Sequence, residues 1–114
     1  MAEFILERKV HDMMDYGLDA VVQYPKVVKF TIGNHMIELM NSIADKTIEV
    51  KKKYTKKTTL QNLDIEIDKL RFFIRLSEKK KYLSPGRYDV WSEKVDEIGR
   101  IVGGMLSNES SQGK

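Results

Sequence analysis

Cysteine is missing altogether from these 114 residues, which excludes a disulfide framework and any thiolate metal site and agrees with a reducing compartment. No apolar run approaches membrane-spanning length, and the stretch Met1 to Val10 already carries Glu3, Glu7, Arg8 and Lys9. Neither a membrane span nor a signal-peptide core is expected, and the chain is expected in the cytoplasm. Only two histidines occur, His11 and His35. A carboxylate-bridged metal bundle needs a Glu-x-x-His on each of two helices, and neither copy is present. A phosphorelay histidine is usually followed closely by lysine and glycine, whereas Glu38 and Leu39 follow His35. No Gly-rich phosphate loop succeeds a strand, and no serine sits in a nucleophile motif. Catalysis, metal and cofactor are therefore not expected. Both prolines, Pro25 and Pro85, fall at predicted helix boundaries.

What the chain does have is helical periodicity, in a length that makes one domain. The clearest stretch is Ser84 to Leu106. Tyr88, Trp91, Val95, Ile98, Val102 and Met105 follow one another at steps of three and four, the spacing of a helix buried along one side. Ser84 can cap its first turn, and Pro85 stands where no N–H is needed. Inside it lies Glu97-Ile98-Gly99-Arg100-Ile101-Val102-Gly103-Gly104. Each glycine costs about 1 kcal/mol relative to alanine in a helix interior. Close approach of a neighbouring backbone to Gly99 and Gly103 would offset that cost. The plainer alternative makes Gly103 or Gly104 the residue just past the helix.

Three more helices precede it. The first spans about Phe4 to Val22, with Leu6, Val10, Met13, Met14, Leu18, Val21 and Val22 as its apolar stripe, and Tyr24-Pro25 stops it. Lys26 to Phe30 is predicted as a short connection pinned by Val27, Val28 and Phe30. The second helix runs from near Thr31 to about Lys53. The third opens on a capping box, Thr58 to Gln61, and continues to about Lys81 with Leu60, Leu63, Ile67, Leu70 and Ile74 as its seam. Ile65, Phe72 and Leu76 fall on roughly the opposite side, so this helix needs a second apolar partner, for which another subunit is the natural source. The predicted fold is an all-α, up-down-up-down four-helix bundle over residues 1–106 that assembles as a homo-oligomer, with 107–114 a disordered polar tail.

The formal net charge is only +3, but it is unevenly placed. Lys and Arg against Asp and Glu number 2 and 5 over residues 1–22, and 8 and 3 over residues 23–57. Lys51, Lys52, Lys53, Lys56 and Lys57 follow the second helix, where cations complement the helix dipole; around Tyr54 they also make a phosphate-binding candidate. Arg71 and Arg75 stand one turn apart and would be relieved by an anion or an acidic partner between them. Arg71 could equally pair with Asp68. Lys79, Lys80 and Lys81 extend this positive charge to the helix end.

Leu70-Arg71-Phe72-Phe73-Ile74-Arg75-Leu76 together with the Glu-Ile-Gly-Arg-x-x-Gly-Gly stretch resembles the accessory variability determinant, Avd, of diversity-generating retroelements, over nearly the whole chain. Met105 takes the place of the tryptophan that usually follows the two glycines; methionine can fill an irregular apolar site. The resemblance implies a homopentameric barrel without enzymatic activity that binds the retroelement's reverse transcriptase and nucleic acid, template RNA or cDNA. By that likeness the basic residues named above would meet nucleic acid or polymerase, Ile65, Phe72 and Leu76 a sister subunit, and Gly99 and Gly103 would serve helix packing. A four-helix-bundle family encoded in intervening sequences of ribosomal RNA is the alternative on the same fold, although its usual Gly-Thr-Ser-Ile-Gly-like segment is missing. A plain protein-interaction module is the other.

Overall fold

The three-and-four spacing read along the chain comes out as four long helices. The computed structural model describes residues 1–112, with side chains through Glu109. In order they form α1 (Ala2–Val22), α2 (Lys26–Val28), a π-helical turn (Lys29–Gly33), α3 (Asn34–Lys52), α4 (Lys57–Lys79) and α5 (Pro85–Gln112), with no strand among the described residues. α1 packs against α3 and α5, and α4 packs against the same two. Each long helix therefore shares its apolar side with two neighbours around one core.

The seams predicted for α4 and α5 are buried, Leu60, Leu63, Ile67, Leu70 and Ile74 in one and Trp91, Val95, Ile98, Val102 and Met105 in the other, except that Tyr88 at the start of the second is only half-buried. The stripe of α1 is narrower than its spacing suggested. Leu6, Val10, Met13, Ala20 and Val21 are buried, but Leu18 and Val22 face outward. Trp91 lies at the centre, fully buried. A Cβ on Gly17 would come within 2.8 Å of its ring and 2.7 Å of Met40 Sδ. Gly17 is thus a packing position: only a residue without a side chain lets α1 approach Trp91 so closely.

The second rod starts at Lys26, a turn earlier than predicted. Pro25 (φ −53°, ψ 142°) is its N-cap, and the Pro25 carbonyl accepts the Lys29 N–H at 2.9 Å. The proline that ends α1 therefore also begins the next helix. Helical backbone continues from α2 through the π turn into α3. Within it Thr31 Oγ1 donates to the Val28 carbonyl at 3.2 Å, and Asn34 Nδ2 to that of Phe30 at 3.2 Å. The wider turn leaves Val27 and Phe30 exposed, so only half-buried Val28 acts as a pin.

α4 likewise begins earlier than the predicted capping box. Lys56 is its N-cap without a side-chain hydrogen bond, and Thr59 is instead buried, receiving Lys53 Nζ at 3.0 Å. Ser84 does cap α5, accepting the Arg87 N–H at 3.2 Å. That helix runs on through Gln112 without a positive-φ glycine among the described residues. Gly103 and Gly104 thus lie inside it, and the polar segment expected to be disordered from Ser107 is helical as far as Gln112. Once a helix is nucleated, each further residue adds a hydrogen bond and needs no apolar partner. Gly113 and Lys114 fall outside the described residues.

The turn from α4 to α5 closes on Lys81, at φ 66°. The Tyr82 N–H reaches the Ser77 carbonyl at 2.8 Å and the Lys81 N–H that of Glu78 at 3.0 Å. This is a Schellman closure with lysine where glycine is usual. A side chain in that conformation costs about 1–2 kcal/mol. Lys81→Gly is expected to stabilise the fold by about 1 kcal/mol, raising the melting temperature by several degrees in a calorimetric scan; an unchanged or lower midpoint would contradict this account of the turn.

Candidate nucleic-acid and partner interface

The lysines between α3 and α4 face the acidic start of α1. Lys51 Nζ is paired with Glu7, Lys56 Nζ lies 3.1 Å from Glu3, and Lys53 lies 3.5 Å from Glu49 one turn back on its own helix. The Glu3 carboxyl is held below the ordinary carboxylate range, first by a backbone N–H and then by Lys56. Lys52 and Lys57 carry no ion pair among the described residues. Three of the five candidate lysines are therefore largely neutralised within the chain. Acidic charge at the start of α1 and part of the basic charge around the turn after α3, read separately along the sequence, meet in space.

At the other end the balance differs. Lys79, Lys80 and Lys81 are exposed and pair with no carboxylate among the described residues, as is true of Lys26 and Lys29. The Tyr24 and Tyr82 rings meet at 5.7 Å between centroids, bringing the connection after α1 against the turn after α4. Burial pushes the Tyr24 phenol up to about 12, against a hydrogen bond with Ser77. Arg87 is otherwise engaged: its guanidinium lies 5.9 Å from the Tyr16 ring centroid, and Lys94 Nζ lies 5.8 Å from the same ring.

Arg71 is a tie between helices. Its Nη1 is 2.7 Å from Asp68 and its Nε 3.0 Å from Asp96 on α5. The Asp68 contact is the one-turn pair that spacing allowed; Asp96 had no sequence signal, because it belongs to another helix. The guanidinium lies over Gly99, where any Cβ would collide with it, while nothing comes within 4 Å of a Cβ on Gly103. The expectation that a neighbouring backbone approaches both glycines is thereby corrected. Gly99 makes room for a side chain, and Gly103 meets open space within this chain. Arg75, one turn beyond Arg71, is exposed and has no carboxylate partner among the described residues.

Ile65 and Phe72 are 51% and 56% exposed. They line one shallow depression with Asp68, Lys69 and Phe73. Leu76 is half-buried and stands outside it. A second apolar surface, with no prediction behind it, is a groove of about 310 Å³ between α1 and α3, lined by Val10, Met14, Ala44 and Ile48 among others. Ile48 in this groove is 52% exposed.

A model of the bAvd-like family matches residues 4–109. The chain belongs to the bAvd-like family. In fold, this bAvd-like chain is also similar to a crystallised protein of unknown function from the S23 ribosomal protein family of Bacteroides thetaiotaomicron. That likeness has a TM-score of 0.85 at 13% identity and covers 94% of this chain and 99% of the other. No curated protein matches it. No helix among the described residues is long and apolar enough to cross a membrane. No group of three or more His, Asp or Glu side chains is placed there to hold a metal ion.

Proposed function

We propose that this bAvd-like chain is a non-enzymatic cytoplasmic accessory protein of a diversity-generating retroelement. In that role it would hold reverse transcriptase and nucleic acid, template RNA or cDNA, in one complex during mutagenic copying. The observation that carries the reading is the contrast between its two ends. Carboxylates cover three of the five lysines around the turn after α3, whereas none of Lys79, Lys80, Lys81, Lys26 and Lys29 pairs with a carboxylate among the described residues. A lysine held at the left-handed position of the turn, where glycine would be more stable, points the same way: strain is retained where a side chain has a use.

The reading takes the helices as an up-down-up-down bundle. It is supported by pairings between the late part of one helix and the early part of the long helix before it, Lys51 with Glu7 and Ser77 with Met36. It takes the assembly as a homopentamer, in which the Ile65–Phe72 ridge of one copy enters an apolar surface of the next. A head-to-tail contact between unlike faces closes a ring when its rotation permits. The neutralised lysines after α3 favour a second reading, a protein-interaction module that does not bind nucleic acid.

A salt series separates the two. Binding to a structured RNA is expected to weaken linearly in log–log form as salt rises, and changing Lys79, Lys80 and Lys81 together to glutamine should make that slope shallower by about 2–3. No binding by the parent protein at low salt would favour the interaction module. Parent-like affinity and slope in the triple variant would remove this end of the bundle from the reading.

A further inference from the structure

Between α4 and α5 lies a narrow cleft of about 70 Å³, lined by Arg71, Ile74, Arg75, Tyr88, Ser92 and Asp96. Tyr88 and Ser92 are one turn apart on α5, so their hydroxyls share an edge of that helix. Among the described residues neither hydroxyl makes a hydrogen bond, and the Arg75 guanidinium has no ion pair. Three side chains with donors that have no protein acceptor thus line one small recess. Donors that are free of protein acceptors at a small recess are available to a ligand's oxygens.

We infer that this cleft seats a single phosphoryl group, held by Arg75 with Tyr88 and Ser92. The inference rests on the nucleic-acid reading above only for the source of that group, a backbone phosphate rather than a free one. Size supports an oxyanion: the space suits a few waters or one small anion, not a nucleobase. Chemistry supports it too, because a guanidinium fork flanked by hydroxyls is the donor set that tetrahedral oxyanions take. Charge sets its strength. Arg71 is answered by Asp68 and Asp96, so those three groups sum to one negative charge, which Arg75 balances. The surplus comes from Lys79, one turn beyond Arg75 on α4. A free phosphate is therefore held weakly here, whereas a polyanion already engaged by Lys79 to Lys81 places its next phosphate in the cleft at little further entropic cost.

Two measurements on the full chain test it. In the RNA salt series, Arg75→Gln is expected to flatten the slope by about 0.7–0.9, the share of one phosphate contact, and to weaken binding several-fold. Ser92→Ala should weaken binding without changing the slope. Separately, inorganic phosphate should protect Arg75, but not exposed Arg100, from a dicarbonyl arginine reagent read by mass spectrometry. Protection by phosphate with RNA binding untouched by Arg75→Gln keeps the seat and assigns it to a free phosphate, as does protection in a protein that binds no RNA at all. RNA binding that is unaltered in both variants, with no protection, overturns the seat while leaving the lysine end standing. Loss of assembly in Arg75→Gln, with RNA affinity per chain preserved, also overturns it, since the guanidinium would then be meeting a carboxylate of a second copy.

Discussion

Trp91→Ala is expected to remove about 3–5 kcal/mol of folding stability, measured by chemical denaturation followed by far-ultraviolet circular dichroism. Folded domains of this size have about 5–15 kcal/mol in total, so the variant should be marginal or partly unfolded. The magnitude follows from the packing. Trp91 is the largest fully buried side chain, and α1 approaches it through Gly17 while Met40 of α3 closes on the same spot. Truncation therefore empties a space shared by three helices, and none can move in without displacing the others. Its Nε1 is buried without a hydrogen-bond partner, a cost that stands against the ring's contribution. Trp91→Phe removes that unpaired donor along with part of the ring and should lose less than Trp91→Ala. Equal losses would mean that the ring's volume is not what holds the three helices together.

The same neighbourhood shows what could be read beforehand. The seam of α5 was legible because burial along one side imposes a three-and-four spacing that needs no partner to be recognised. Gly17 was not, since a glycine in a helix looks like a weakness until the ring from another helix is placed against it. Ion pairing divided in the same way. Asp68 and Arg71 could be matched because both lie on one helix a turn apart, whereas Asp96 of α5, and Glu3 and Glu7 of α1, had to be brought in by the fold. They altered the candidate site most, turning Arg71, Lys51 and Lys56 from free cations into fastened ones. Helix starts were misplaced at Lys26 and Lys57 for a local reason. A proline was read as an end alone, and a threonine-to-glutamine spacing as a cap, where the backbone carbonyls of Pro25 and Lys56 already receive the first helical bonds, at 2.9 Å in each case.

Phe72→Asp is expected to break the proposed homo-oligomer into smaller species while leaving each bundle folded. The Phe72 ring packs edge-on against Phe73 at 5.2 Å, and Phe73 in turn meets His35 at 4.8 Å. It is thus held out as a rigid apolar projection rather than a mobile one, the kind of aromatic anchor that contributes most at an interface. In the isolated chain it is more than half exposed, so the substitution should change the stability of one bundle by only about 0.5 kcal/mol. Across a subunit contact the same carboxylate would be desolvated without a partner and beside Asp68, where truncation of a hot-spot aromatic alone costs about 2 kcal/mol or more. In a ring every contact carries this change, so the losses repeat around it. Light scattering at micromolar concentration should show the parent as an oligomer and the variant at or near the mass of one chain, with the same helical dichroism. Leu76→Asp would not serve in its place, because Leu76 is half-buried and stands outside the depression that Ile65 and Phe72 line. A variant with parental mass would take Phe72 off the contact surface, and a parent protein that is itself monomeric would remove the need for any sister copy over this ridge.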